Sequence, residues 1–328
     1  MACTSPLTGW RAKHLNKNGK RPIVFNRNEG FTDMEVTVPC GRCTSCRLEY
    51  SRQWAVRCMH EQTQHKDAMF VTLTIAPEHI QTVWDWKSAK KGEKRTKEKL
   101  NEHSISKVSL QRFFKRLRKQ TGADIRYFAC GEYGDTTHRP HYHAIIYGYD
   151  FPDKMIHTKT KNGDLLFKSE QLQKIWGFGF CLIGEVTFQS AAYVARYVMK
   201  KRKGDPDTID PKTGKTNAEY YMIQDETTGE VFTTNPEFCL MSRKPGLGHG
   251  WLEKYKSDTN KDFITLNGNK MGLPKYYDSI LQKEDEEQFR KRKAKRIKRI
   301  NQDEQLPVRM EAKRKVTEAK TKQLVRTL

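Results

Sequence analysis

Apolar positions fall into short blocks whose spacing changes along the chain. Trp54, Ala55, Cys58 and Met59 recur at helical intervals between Glu49 and His65, which predicts a helix there. The apolar, β-branched run Ala68-Met69-Phe70-Val71-Thr72-Leu73-Thr74-Ile75 then predicts a buried strand that Pro77 ends. Residues 87–107 carry many lysines and almost no apolar side chains, the pattern of a solvated or DNA-facing loop. From Ser109, read as the N-cap, to Lys119, the residues Leu110, Phe113, Phe114 and Leu117 line one face of a helix with a basic outer side.

Two extended segments, Ile125 to Gly131 and His141 to Gly148, flank the turn-forming stretch Gly134 to Pro140 and read as an antiparallel pair. A short helix over Ser169–Trp176, a strand over Phe180–Thr187 and a helix over Ser190–Lys203 follow. This order predicts an α+β fold, an antiparallel sheet with helices on one face in the ferredoxin-like arrangement. A cysteine-rich N-terminal module and a basic, helical C-terminal tail flank it. The expected divisions are residues 1–66 for the N-terminal module and its helix, 67–204 for the core, 205–282 for an extension of the core and 283–328 for the charged tail.

Composition narrows the partner. The 328 residues carry a formal net charge of +22, which favours a polyanion because each neutralised phosphate releases condensed counterions. Such charge alone suits a non-catalytic nucleic-acid binder equally well. No apolar run approaches the roughly 20 residues of a membrane span, and the N-terminus lacks a signal-peptide core, so a cytoplasmic protein is expected. Gly214-Lys215-Thr216 lacks the upstream glycine of a phosphate-binding loop, which argues against a nucleoside triphosphatase. The nearly continuous Lys and Arg of Arg290–Arg299 read as a polyphosphate-binding arm or a solvated tail.

Three patterns carry chemistry. In Pro140-His141-Tyr142-His143 on a strand, both imidazoles share one face, with alpha carbons about 7 Å apart. Hairpin pairing sets Glu132 opposite His141, so a carboxylate joins them, and this mixed donor set suits Mg²⁺ or Mn²⁺ held partly through substrate phosphate. On a helix, Tyr193, Tyr197 and Lys200 stand at i, i+4 and i+7 and share a face. A phenolate can displace a 3′-oxygen from a DNA phosphate, and a neighbouring ammonium favours it. Cys40, Cys43 and Cys46, at three-residue steps, can surround a structural Zn²⁺ with Cys3, Cys58 or His60 as fourth ligand, Cys3 being favoured; spacing alone also permits an iron–sulfur cluster.

Phe70-Val71-Thr72-Leu73-Thr74, Pro140-His141-Tyr142-His143 and Tyr193-Val194-Ala195-Arg196-Tyr197-Val198-Met199-Lys200 together resemble the three ordered motifs of HUH replication initiators, with most similarity to the gokushovirus branch of the microviruses. The cysteine cluster is similar to one in that branch. The resemblance implies an HUH nuclease fold and a rolling-circle initiator that nicks one strand at an origin, stays on the 5′-phosphate through tyrosine, and rejoins ends to release circular single strands. It implies a metal pair at His141 and His143, alternating nucleophiles at Tyr193 and Tyr197, the motif lysine at Lys200, and an acidic third ligand at Glu132. Origin and single-stranded DNA, a host helicase with the replication machinery, and capsid proteins during packaging are the implied partners, in the host bacterial cytoplasm. A plasmid relaxase or a transposase shares the same motifs.

Overall fold

The computed structural model describes residues 3–76, 79, 84–86, 97–99, 104–134, 139–160, 163–197, 205–209, 213–224 and 229–323. Strands β1 (Leu7–Ala12), β2 (Ile23–Val24) and β3 (Gly30–Val38) form a small antiparallel sheet, followed by helix α1 (Thr44–Gln62). Next come β4 (Ala68–Thr74), a short pair β5 (Trp84–Trp86) and β6 (Lys97–Lys99), helix α2 (Lys107–Thr121), and the hairpin β7 (Arg126–Tyr133) and β8 (Pro140–Tyr147). A second hairpin, β9 (Met155–Lys159) and β10 (Leu165–Lys168), precedes α3 (Glu170–Trp176), β11 (Cys181–Gly184) and α4 (Phe188–Tyr197). After α5 (Asn217–Tyr220) and the pair β12 (Met222–Gln224) and β13 (Val231–Thr233), strand β14 (Phe238–Met241) returns to the main sheet. The chain continues through α6 (His249–Lys254), the hairpin β15 (Phe263–Leu266) and β16 (Asn269–Gly272), and helices α7 (Lys275–Glu284), α8 (Glu286–Lys298) and α9 (Pro307–Lys322). None of the described helices is long and apolar enough to cross a membrane.

The fold is α+β, built on a seven-stranded antiparallel sheet in the order β14-β7-β8-β4-β11-β10-β9. Helices cover both faces, which corrects the one-face expectation. Alternate residues explain it: Met69, Val71, Leu73, Ala129, Tyr142, Ala144 and Ile146 pack with α2 and α3, whereas Phe70, Phe128, Cys130, Ile145 and Tyr147 pack with Trp54, Ala55 and Cys58 of α1 and with α4. Strands buried on both faces need apolar side chains at successive positions, as in Ala144-Ile145-Ile146. At Gly131 a methyl group would collide with the Phe238 ring, so this glycine lets β14 dock against β7.

Local chemistry sets the helix ends. The N-cap of α2 is Ser106, not Ser109; Ser106 Oγ accepts the Ser109 amide at 3.0 Å. Ser104, Ile105 and Ser106 are buried rather than solvated, because Ser106 N donates to the Tyr142 hydroxyl and Ile105 N to that of Tyr133. Ser169, expected as the first residue of α3, is instead its N-cap, and left-handed Gly177 ends the helix. Pro307 opens α9, where its missing N–H costs nothing.

Two compact units divide the chain, one of Met1–Arg52 with Ile280–Thr327 and one holding Gln53–Ser279. The first unit carries 25 Lys and Arg against 12 Asp and Glu, so +13 of the chain's +22. Most of the chain's formal net positive charge therefore belongs to the unit that does not hold the main sheet.

Within the second unit, the segment Pro245-Gly246-Leu247-Gly248 is an elbow that runs from exposed Pro245 to buried Leu247 and Gly248. Arg57 Nε donates to Leu247 O at 3.0 Å, Arg126 to Pro245 O at 2.9 Å, and Gly248 N to Glu61 Oε2 at 2.6 Å. Glu61 also accepts from Arg126 Nε and pairs with His65. Gly248 adopts φ +77°, and any side chain there would strike the Tyr277 hydroxyl.

Candidate functional site

Pairing of β7 with β8 places Glu132 opposite His141 and Cys130 opposite His143, and pairing of β8 with β4 places Thr74 opposite His141 and Thr72 opposite His143. The two imidazoles share one sheet face, their rings 6.5 Å apart and 5° from parallel. His143 Nε2 lies 3.0 Å from Glu132 Oε1, and both side chains are buried. Thr72 Oγ1 sits 3.1 Å from His143 Nδ1. The Glu132 carboxylate only accepts, which places a proton on His143 Nε2, and the Thr72 hydroxyl donates to Nδ1 of the neutral ring. His141 Nδ1 lies 2.7 Å from the Arg139 carbonyl, which only accepts. That bond fixes the proton on Nδ1 and turns the Nε2 lone pair outward, the usual support for a metal-binding imidazole. Burial is the main influence lowering the His141 pKa, and the neighbouring His143 adds to it, against the opposing pull of the Arg139 carbonyl and Glu132.

Helix α4 sets Tyr193 over this pair. Its buried ring meets His143 edge-on at 5.2 Å and 85°, Phe70 packs against both, and Arg196 lies 5.9 Å from the Tyr193 ring centre. Tyr197 is the last residue of α4; its side chain, and Lys200 entirely, lie outside the described residues. The structure thus gathers His143, Glu132 and Tyr193, with His141 alongside. Among the described residues, the group of three or more potential metal ligands whose atoms gather within 4.8 Å is the cysteine set, so His141, His143 and Glu132 are looser than that. Sequence reasoning gave no role to Thr72 or to the Arg139 carbonyl, although Thr72 stands inside the first motif. Only the strand register reveals that it faces His143.

Cys3, Cys40, Cys43 and Cys46 form that second cluster. Cys3 Sγ lies 3.6 Å from Cys40 Sγ and 3.8 Å from Cys43 Sγ. A disulfide would require about 2.05 Å, whereas four sulfurs around Zn²⁺, with bonds of about 2.3 Å, stand about 3.8 Å apart. These residues can hold a metal such as zinc. The alternative fourth ligands are engaged elsewhere: Cys58 is buried in the core, and His60 Nδ1 pairs with the Tyr277 hydroxyl at 2.9 Å. Burial pushes the Cys43 thiol up, but hydrogen bonds from Thr4 and the Cys46 backbone outweigh it and bring it down to about 6. Cys46 is driven the other way, first by burial and then by its thiol neighbours. Four thiolates cannot coexist at these distances without a cation among them.

The family of replication-associated proteins of the ORF2 type matches residues 68–202, the stretch that holds both histidines, Glu132 and both tyrosines. Replication-associated protein VP4 of Bdellovibrio phage phiMH2K is 31% identical over 282 residues, covering 85% of this chain and 78% of that one. The chain belongs to the microvirus-type replication-associated proteins. Within this family, replication-associated protein ORF2 of Spiroplasma virus 4 is 28% identical over 306 residues, covering 88% of this chain and 83% of its own. Replication-associated protein ORF4 of Chlamydia phage 1 is 24% identical over 254 residues, covering 75% of this chain and 54% of its own. No solved structure matches. Membership gives this replication-associated protein the role of a replication initiator. The cysteine cluster and helices α8 and α9 lie outside the family-matched stretch.

Proposed function

We propose that this initiator nicks one DNA strand at an origin through a tyrosine and later rejoins the ends, as an HUH-type nuclease whose chemistry lies in residues 67–204. The observation that carries this reading is the buried Tyr193 ring placed edge-on at 5.2 Å from His143, which is itself bonded to Glu132. A phenol loses its proton, its oxygen bonds to phosphorus, and the bond from phosphorus to the 3′-oxygen breaks, the 3′-oxygen leaving with a proton. The bond energy is retained in the 5′-phosphotyrosine ester. A later 3′-hydroxyl reverses the step, restores the phosphodiester and frees the tyrosine, so no nucleotide cofactor is consumed.

His141, His143 and Glu132 would hold a divalent ion. Their donor set, two imidazole nitrogens and one carboxylate, suits Mg²⁺ or Mn²⁺ bound with open positions. Bound there, such an ion supplies Lewis-acid polarisation of the scissile phosphate. The protein's own part is orientation: the Arg139 carbonyl and the Thr72 hydroxyl fix the rings, and α4 presents Tyr193 with Tyr197 one turn beyond. Lys200 would lower the cost of the phenolate. The cluster of Cys3, Cys40, Cys43 and Cys46 would hold a structural zinc ion. A host helicase would separate the duplex, since the chain carries no recognisable helicase motif.

The test is incubation with labelled single-stranded origin DNA and Mn²⁺, followed by a denaturing gel, for wild type, Tyr193→Phe, Tyr197→Phe and the double variant. A protein–DNA adduct lost in the double variant is expected. Intact DNA with full binding in the wild type would overturn the reading in favour of a non-catalytic replication factor.

A further inference from the structure

The site row extends past the histidines. Glu132 faces His141, His141 faces Thr74, and Thr74 N donates to Phe180 O at 3.0 Å as the β4–β11 pairing runs on beyond Cys181. Side chains of directly paired residues share a face. Phe180 therefore stands on the same face as His141 and Glu132, two strand spacings or about 10 Å from His141. It is half-buried and belongs to neither apolar core. The apolar core on this face engages β7, β8 and β4 under α1 and α4, and Leu182 and Leu166, on the strands beyond β4, are only half-buried.

What meets Phe180 is cationic and polar. Lys168 Nζ lies 4.6 Å from the centre of its ring, and the exposed His157 imidazole lies 5.7 Å away at 66°. A half-buried aromatic ring with a flexible, displaceable ammonium over it is a combination that can take a nucleobase on the ring and its phosphate on the cation. The neighbouring row bears the groups proposed to act on a DNA phosphate, which names the occupant.

We propose that Phe180, with Lys168 and His157, is a base-stacking subsite for a nucleotide that flanks the scissile phosphate on single-stranded DNA. This rests on the nicking function proposed above, but its test does not. Binding of fluorescein-labelled oligo(dT) to the full-length protein, measured by anisotropy in EDTA so that no chemistry runs, is compared for wild type, Phe180→Leu, Phe180→Trp and Lys168→Gln. Loss of one stacking contact weakens binding by roughly 5- to 150-fold. Phe180→Leu should show that loss, while Phe180→Trp, which keeps a ring, stays within about twofold of wild type. Lys168→Gln should reduce the salt slope by about 0.7, the value for one single-strand phosphate. Wild-type affinity in Phe180→Leu overturns the proposal, as does equal weakening in Phe180→Trp, which would indicate a packing role. Wild-type protein that binds through Phe180 yet forms no adduct would remove the nicking function alone; adducts with unchanged Phe180→Leu binding would remove the subsite alone.

Discussion

Replacing Glu61 with alanine should loosen the body that carries the proposed site, and the structure sets the size of the effect. The Glu61 side chain is only 4% exposed, and its carboxylate accepts from Arg126, pairs with His65 and takes the Gly248 amide. Truncation leaves a guanidinium that is itself only 16% exposed, and a buried N–H, without their acceptor. Removing one partner of such a pair costs about 3–5 kcal/mol. At about 2–4 °C per kcal/mol for a domain of 150–250 residues, Tm should fall by roughly 6–20 °C. Burial would raise the Glu61 pKa, but bonds from His65, Gly248 and Arg126 outweigh it and hold it below the ordinary value. A depressed carboxylate contributes fully above its unfolded pKa of about 4.3 and loses that contribution as pH falls through the folded value. The Tm gap between wild type and Glu61→Ala, read by calorimetry, should therefore be widest near neutrality and close below about pH 4. A gap under about 2 °C at pH 7, or one that is constant with pH, would refute this account of the elbow.

Three further outcomes are expected. Elemental analysis of protein purified without chelator should find close to one zinc per chain, and Cys46→Ser should abolish it while the Gln53–Ser279 unit still melts cooperatively. Glu132→Gln keeps an acceptor for His143 but removes the charge, so the Mn²⁺ concentration needed for adduct formation should rise by roughly 10- to 100-fold with no large change in Tm. Burial lowers the His60 pKa to about 4. The unfolded chain then binds the extra proton between about pH 6.5 and 4, and stability should fall across that window as the medium is acidified. His60→Asn should flatten this slope in pH-dependent melting, and an unchanged slope would count against the assignment.

Much of the sheet was legible because its strands are both apolar and β-branched. The first core strand, the hairpin and its register at Glu132 and His141 follow from period and turn position. What escaped depended on distant partners. Met155–Lys159 has no buried residue, so nothing in its pattern marks it as the sheet edge. Phe238–Met241 becomes a strand because Gly131 leaves room for it. Ser106 outranks Ser109 as the cap because the Tyr142 hydroxyl draws the chain inward, and no local signal reports that. The coverage of both sheet faces could have been read from Ala144-Ile145-Ile146, whose apolar run leaves no solvent side. Around the proposed site, spacing grouped His141, His143 and Glu132, Tyr193 was joined to them only through the resemblance to the three ordered motifs, and the Thr72 and Arg139 contacts needed the structure.

The unit built from Met1–Arg52 and Ile280–Thr327 has a temporal consequence. Its first half leaves the ribosome before the main sheet, and its second half follows roughly 230 residues later, a wait on the order of 10–45 s at bacterial elongation rates. The unit begun before the main sheet is therefore completed after it. During that interval the three-stranded sheet and its four cysteines stand without α8 and α9, and a captured metal ion would be the main force keeping them ordered. Metal supply during translation, rather than after it, would then set the yield of correctly assembled protein.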